Sequence, residues 1–281
     1  MNYQIMRLIV RITTMTLLLM LAAGAHAQPE PDQADIAWIA EGKFCEPETV
    51  LPLPDDTLLV SNVCDFRERG NGFLTLLDVD GKVLDWRIVD AMDAPLGMAL
   101  SGGRLYVVDM NRLLILRWPG YERLETIELD TSVANDVAVT PDGVTYVTDT
   151  AKNQVIEVDP DGGQTVLTGE AQFQGANGIE LHDGMLYVGG KRLWRVDLKK
   201  ESVETIGPDW LSDIDGIEFE ADGTMQITPV AGPLIRYRDE GDYEVLGGEG
   251  VSSANHGYAA SLKLALIPTG FDNQVIAIRI Y

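Results

Sequence analysis

The sequence contains six copies of one strand pattern, and this repetition constrains the fold more than any other feature. Each copy has a short apolar strand, a turn, a second strand of Leu, Tyr and Val ending in a polar residue, and then further strands. The second strands are predicted at 58–62, 105–109, 145–149, 186–190, 225–229 and 265–269. Turns of the Asp-Asp, Gly-Gly or Asp-Gly type precede the first five, which is typical of β-hairpins.

The remaining strands follow with the same spacing. Third strands are predicted at 73–77, 113–118, 155–158, 193–196, 234–237 and 275–280, and fourth strands at 83–89, 123–129, 164–167, 202–206 and 243–246. Units of about 40 residues with four strands each predict an all-β, six-bladed β-propeller. An open solenoid is the alternative repeat architecture, but it would leave both ends of the chain uncapped.

The sixth unit lacks a fourth strand because the chain ends first. Residues 36–40 are predicted to supply it by pairing with 275–280, which would close the ring and cover an open strand edge.

The N-terminus has the features of a secretory signal peptide. Arg7 and Arg11 precede the apolar run 17–23, and the small-residue pattern Ala25-His26-Ala27 follows. This predicts cleavage after Ala27, a propeller domain over 28–281, and a periplasmic or secreted protein with no membrane insertion after cleavage. A retained anchor is the alternative, although the run is shorter than the ~20 residues of a spanning helix.

The chain is strongly acidic, with 44 Asp and Glu against 21 Lys and Arg and a formal charge of −23. Nucleic acid is therefore excluded as an expected partner, since its affinity comes mainly from basic side chains. The acidity is consistent with a solvated surface or with attraction of cations, and composition does not separate these two interpretations.

Cys45 and Cys64 are the two cysteines of the chain. An even count in an exported protein predicts one disulfide, and two buried thiols are the alternative. Cys45 precedes the first innermost strand and Cys64 follows the neighbouring antiparallel strand, so both are predicted at the same edge of the first blade.

A polar ring is predicted at one mouth of the central channel, which we call the top because the chain enters the innermost strands there. Counting back ten or eleven residues from equivalent positions of the second strands gives the predicted first residue of each innermost strand. These residues are Glu48, Leu96, Asn135, Asn177, Asp215 and Asn255. Asn and Asp are also ordinary turn formers, but turn chemistry does not require Glu in the first blade. Carboxylate and amide oxygens are the ligands that hard cations such as Ca²⁺ prefer.

Four dipeptides carry a resemblance to a known family: Pro47-Glu48, Asn135-Asp136, Asn177-Gly178 and Asp215-Gly216. Over the mature chain, the sequence resembles the family of regucalcin (senescence marker protein), gluconolactonase and luciferin-regenerating enzyme. It is more distantly similar to diisopropyl fluorophosphatase and paraoxonase.

The resemblance implies a divalent cation held by Glu48, Asn177 and Asp215, with Asn135 beside the metal or completing its shell. Ca²⁺ is the expected cation, with Mg²⁺, Mn²⁺ or Zn²⁺ as alternatives, and Asp215 is also implied as base or nucleophile. Two positions depart from the family pattern. Val133 stands where sugar-lactone members carry Arg, and Thr49 replaces the usual Gly.

Two further residues are candidates on their position. Glu46 competes with Glu48 as a ligand, because alternate residues of a strand share a face, but the repeat register favours Glu48. His256 follows the sixth ring position and is a candidate, with Asn135, for binding substrate. A structural, hydrogen-bonded histidine is the alternative.

These observations favour a metal-dependent hydrolase acting on a lactone or ester, with a small molecule bound at the top of the channel. The alternative is a propeller that binds a ligand or protein without catalysis, as many propellers do. Carbon–nitrogen bond formation of the strictosidine synthase type would need a catalytic Glu that the sequence does not place. Neither the substrate nor the oligomeric state is predicted.

Overall fold

The computed structural model describes residues 34–167, 172–239, 241–246 and 254–281. The predicted signal peptide lies outside these residues. In the part of the chain that is described, regular structure consists of β-strands, and no helix is long and apolar enough to cross a membrane.

The strands form six antiparallel sheets of four, which confirms the six-bladed β-propeller. Blade 1 contains β2 (Pro47–Pro52), β3 (Thr57–Asn62), β4 (Gly72–Asp78) and β5 (Val83–Met92). Blade 2 contains β6 (Pro95–Ser101), β7 (Arg104–Asp109), β8 (Arg112–Arg117) and β9 (Arg123–Glu128). Blade 3 contains β10 (Ala134–Val139), β11 (Thr145–Asp149), β12 (Gln154–Val158) and β13 (Gln164–Val166).

The other three blades repeat this order from the channel outward. Blade 4 contains β14 (Ile179–His182), β15 (Met185–Val188), β16 (Leu193–Asp197) and β17 (Ser202–Ile206). Blade 5 contains β18 (Ile214–Phe219), β19 (Met225–Pro229), β20 (Leu234–Asp239) and β21 (Asp242–Leu246). Blade 6 contains β22 (Gly257–Ala259), β23 (Leu264–Thr269), β24 (Gln274–Arg279) and β1 (Ile36–Glu41).

The outer strand of blade 6 comes from the other end of the described chain. β1 pairs with β24 in antiparallel register, with Ala40 opposite Val275 and Ile36 opposite Ile278. This pairing covers the edge of β24, whose backbone groups would otherwise be open to another strand.

Burial follows the radial position of a strand. β11 and β23 are buried along their whole length, whereas β9 is exposed at almost every position. The apolar side chains of the middle strands pack against those of the next blade, as in the cluster that joins Leu59 of β3 to Leu105 of β7. The core is therefore a series of layers between blades, arranged around the channel.

Two buried aspartates at the ends of second strands fix the segments that lead into the channel. Asp109 accepts hydrogen bonds from the backbone N–H groups of Asp93 and Ala94, at 2.8 and 2.7 Å. Asp149 accepts them from Ser132 and Val133, at 2.8 and 3.0 Å. Both aspartates therefore position backbone at the top of the propeller.

Candidate functional site

The predicted disulfide is present between Cys45 and Cys64, whose Cα atoms are 4.7 Å apart. The backbone N–H of Cys64 also donates to the carbonyl of Cys45, at 2.9 Å. The bridge therefore joins the segment before β2 to the residues that follow β3, and Cys45 lies three residues before Glu48.

The ring positions lie at the top of the channel, with two corrections to the predicted register. None of the six is the first residue of its strand. Asn177 and Asn255 precede β14 and β22 by two residues, and the second residues of β2, β6, β10 and β18 are Glu48, Leu96, Asn135 and Asp215. In addition, the ring residue of each of the other blades lies three positions before the residue that pairs with the reference residue of the second strand. In blade 6 the reference residue Leu266 pairs with Gly257, so the equivalent residue is Ala254. The predicted register was one residue off because no turn signal marks this hairpin, in which β22 ends at Ala259 and β23 begins at Leu264.

Neighbouring blades bring the ring residues close together. A Cβ atom on Gly178 would overlap the backbone carbonyl oxygen of Asp215, so the chain beside Asn177 lies directly against blade 5. Below Asn135, the carboxylate of Asp136 accepts a hydrogen bond from the N–H of Ile179, at 2.9 Å, and so joins blade 3 to blade 4.

Three ring side chains have a buried oxygen that makes no hydrogen bond within the described residues. Oδ1 of Asn135, of Asn177 and of Asp215 has no hydrogen-bond partner among the described residues. The amide nitrogen of Asn135 donates to Thr150 Oγ1 at 3.4 Å, which leaves the oxygen as the free group. Because buried polar atoms are nearly always paired in folded proteins, three such acceptors in one ring are candidates to bind a cation or water.

The carboxylates of the ring are held in an environment that disfavours negative charge. Burial raises the pKa of Glu48 to about 7, and a 2.7 Å hydrogen bond from Thr49 Oγ1 acts in the opposite direction. Asp215 is 6% exposed, and burial, followed by the charges of Glu48 and Asp136, raises its pKa well above the ordinary value. A bound cation would stabilise both ionised carboxylates.

The donor set fits a hard cation. Two carboxylates and two amide oxygens, from Glu48, Asn135, Asn177 and Asp215, match the oxygen ligands of Ca²⁺. A group of three or more His, Cys, Asp or Glu side chains arranged to hold a metal does not occur among the described residues. Cation binding by this set would therefore depend on the two amide oxygens as well as on the two carboxylates.

Other ring candidates occupy different environments. Leu96 is buried and packs into the core with Ala94 and Tyr106. Glu46 precedes β2 with a φ of 50°, and its N–H donates to Asn273 Oδ1 at 2.7 Å. The N–H of Asn255 donates to the carbonyl of Glu48 at 3.0 Å, so this residue connects blade 6 to blade 1 through its backbone.

His256 is 2% exposed and neutral at ordinary pH, because burial lowers its pKa to about 3. Thr228 Oγ1 donates its single hydrogen to the carbonyl of Ala254 at 3.0 Å. It must therefore accept from Nδ1 of His256, 2.9 Å away, which places the ring proton on Nδ1. Nε2 then carries a lone pair, and it has no hydrogen-bond partner among the described residues.

Two glutamates further down the channel were not predicted from the sequence. Glu180 of β14 and Glu218 of β18 line a cavity of about 440 Å³ together with His256. Burial raises the pKa of Glu180 to about 8, and burial with the charge of Glu180 raises the pKa of Glu218 well above the ordinary value. The available signal was their shared position in the repeat, three residues after Asn177 and Asp215.

No protein-family model matches the sequence, and no curated protein matches it. Solved structures do match it in fold. The chain is gluconolactonase-like in its architecture. Its match to the structure of a candidate gluconolactonase covers 94% of this chain and 94% of that one, with a TM-score of 0.69 and 19% identity.

Two further structures show the same likeness. A gluconolactonase from Xanthomonas campestris matches with a TM-score of 0.67 and 14% identity, covering 92% of this chain and 99% of that one. A catalytically inactive His-to-Ala variant of virginiamycin B lyase from Staphylococcus aureus, with quinupristin, gives 0.61 and 12%, covering 87% and 99%. At these identities the likeness concerns the fold.

Proposed function

We propose that this protein is an exported, divalent-metal-dependent hydrolase that opens a lactone or ester at the top of its channel. The observation that carries the proposal is the set of three buried, unpartnered oxygens on Asn135, Asn177 and Asp215, in one ring with Glu48. The gluconolactonase-like fold supports the reaction class.

Glu48, Asn177 and Asp215 would hold the cation, with Asn135 beside it or completing the shell. Ca²⁺ is the cation we expect, since two carboxylates offset its charge while two amides add ligands without repulsion. A cation bound there would supply Lewis-acid polarisation of the substrate carbonyl.

Asp215 is the proposed general base. A cation in the ring would favour the ionised form of its carboxylate, which is the form that accepts a proton from water. It takes a proton from water as the water oxygen bonds to the carbonyl carbon. That proton then passes to the leaving oxygen when the carbon–oxygen bond of the ring or ester breaks.

His256 is proposed to bind substrate as an acceptor. With the proton on Nδ1, its unpartnered Nε2 can accept a hydrogen from a substrate hydroxyl or from water. Asn135, whose side-chain oxygen faces the same ring, is the second proposed contact.

Export is part of the proposal and rests on the sequence of residues 1–27. The disulfide between Cys45 and Cys64 is compatible with an oxidising compartment, either periplasmic or extracellular.

One observation favours the alternative of a ligand-binding propeller without catalysis. Thr49, at the position where the resembled family has Gly, donates its hydroxyl to Glu48 and occupies one of the carboxylate oxygens. This contact reduces the capacity of Glu48 for a cation.

The test is hydrolysis of a panel of lactones and esters, with and without chelator. Wild-type protein should turn over at least one compound, chelation should abolish turnover, and the cation should restore it. Asp215→Asn should lose turnover, whereas Asp222→Asn, in the exposed turn of the same blade, should keep it. Turnover that survives both chelation and Asp215→Asn, or none with any compound and cation, would refute the hydrolase.

A further inference from the structure

Three large apolar side chains are exposed at the top of the channel beside the proposed cation ligands. Val133 is 43% exposed, Val230 43% and Phe271 46%. Val133 lies two residues before Asn135, and the intervening Ala134 is buried in the core. Asp149 accepts a hydrogen bond from the N–H of Val133 at 3.0 Å, which holds this exposed residue at the top of blade 3, next to the start of β10.

Backbone contacts place the segments that carry the other two next to the segments that lead to Asp215 and Glu48. The N–H of Val230 donates to the carbonyl of Asp213 at 2.7 Å, two residues before Asp215. Phe271 follows Gly270, where a Cβ atom would lie 3.3 Å from the carbonyl oxygen of Pro47, the neighbour of Glu48. These three residues, which we call the apolar collar, therefore lie at the top ends of blades 3, 5 and 6.

Four other exposed apolar side chains of the described residues lie on or against outer strands. Leu84, Leu124 and Val166 are on the outer strands β5, β9 and β13. Trp210 packs against Tyr243 of the outer strand β21, with ring centroids 4.8 Å apart.

Basic side chains of the top loops are engaged with carboxylates. Arg69 pairs with Asp93 at 2.6 Å, and Lys191 pairs with Asp213. Lys152 pairs with Asp130 at 3.0 Å. These three basic side chains are therefore already paired with carboxylates of the protein.

We propose that the apolar collar binds an alkyl or aryl substituent of the substrate, so that the substrate is an apolar lactone or ester and not a polyhydroxylated sugar lactone. This inference rests on the proposed function for the position of the reacting carbonyl. An alkyl chain gains by leaving water against Val133, Val230 and Phe271, whereas sugar hydroxyls would lose water there without hydrogen-bond partners.

Binding is measured by calorimetry, with Ca²⁺ in excess, using 2-alkylcyclopentanones as non-hydrolysable isosteres of γ-lactones. Each added methylene that reaches the collar should tighten binding about two- to fourfold. The double substitution Val133→Ser with Phe271→Ser should remove this chain-length dependence. Val166→Ser, a valine of equal exposure on β13, should leave it unchanged.

Rates of γ-lactone hydrolysis form the second arm. The ratio kcat/KM should rise with alkyl chain length and exceed that for a polyhydroxylated lactone by at least tenfold. Affinity and kcat/KM that are flat with chain length, or a preference for the polyhydroxylated lactone, would overturn the collar while leaving the hydrolase standing. Chain-length-dependent ketone binding without hydrolysis of any lactone supports the collar and refutes the proposed reaction.

Discussion

Replacing Glu180 with Gln should stabilise the cation-free protein at alkaline pH. Burial in the channel raises the pKa of this carboxyl from 4.5 to about 8. The folded state therefore retains a proton that the unfolded state releases between pH 4.5 and 8, and the free energy of unfolding falls as pH rises through this window. A full shift of this size corresponds to an upper limit of about 5 kcal/mol, and solvation inside the channel reduces the expected effect to about 2–4 kcal/mol at pH 9.

The assay is urea unfolding of chelator-treated protein from pH 5 to 9, above the sequence pI of about 4.3. Wild type should lose stability progressively over this range, and Glu180→Gln should lose less, so the two curves separate with rising pH. Glu128→Gln, at the exposed end of β9, is the matched control and should run parallel to wild type. Parallel curves for Glu180→Gln as well would refute the inference that burial in the channel costs free energy when this group ionises.

The remaining stability predictions concern backbone packing and the disulfide. Gly178→Ala should cost about 3 kcal/mol in urea unfolding, since its Cβ would overlap the Asp215 carbonyl. Gly241→Ala, whose Cβ would make an ordinary contact 3.8 Å from Asp239 Oδ1, should change stability by less than about 0.5 kcal/mol. Equal effects of the two substitutions would contradict the close approach of blades 4 and 5. Replacing both Cys45 and Cys64 with Ser removes a bridge across 19 residues and should cost about 3 kcal/mol, and an unchanged unfolding midpoint would show that the bridge adds no stability.

The repeat pattern predicted the fold because propeller blades are local structures. Each blade consists of hairpins whose turns are marked by residues such as Asp142-Gly143, so strand pairing follows directly from the order of the chain. The predicted boundaries were wrong by two residues at the end of β15, where Val188 is the last strand residue. The N–H of Gly189 still donates to the carbonyl of Gly178 at 2.8 Å, so hydrogen bonding between the two chain segments continues beyond the regular strands.

The candidate site was less accessible to sequence reasoning because the innermost strands are irregular. Register shifts occur between Pro47 and Val50 and between Ala134 and Val137, so counting by twos does not give the direction of a side chain there. Glu180 and Glu218 were missed because only the first residue of each innermost strand was aligned between the blades, and both glutamates lie three residues further on. Blade 6 was misaligned by one residue because no Gly or Asp turn marks the hairpin before Leu264.

The unpartnered oxygens could not be predicted from sequence. Whether Asn177 presents its oxygen to the channel or to a neighbouring N–H depends on contacts between blades that are far apart in the chain. The repeat register predicted that Asn177 belongs to the ring. The structure adds that its side-chain oxygen has no hydrogen-bond partner among the described residues.

The most direct test of the central claim is calorimetric titration of Ca²⁺ into chelator-treated protein, with Asp215→Asn as the variant and Asp222→Asn as the control. Wild type and the control should bind one cation saturably, and a cation concentration of 100 times Kd should add about 2.7 kcal/mol to the free energy of unfolding. Asp215→Asn should weaken binding at least tenfold, since it removes one of the two charges in the ring. No saturable heat with Ca²⁺, Mg²⁺, Mn²⁺ or Zn²⁺, or binding that Asp215→Asn leaves unchanged, would contradict the proposed cation site.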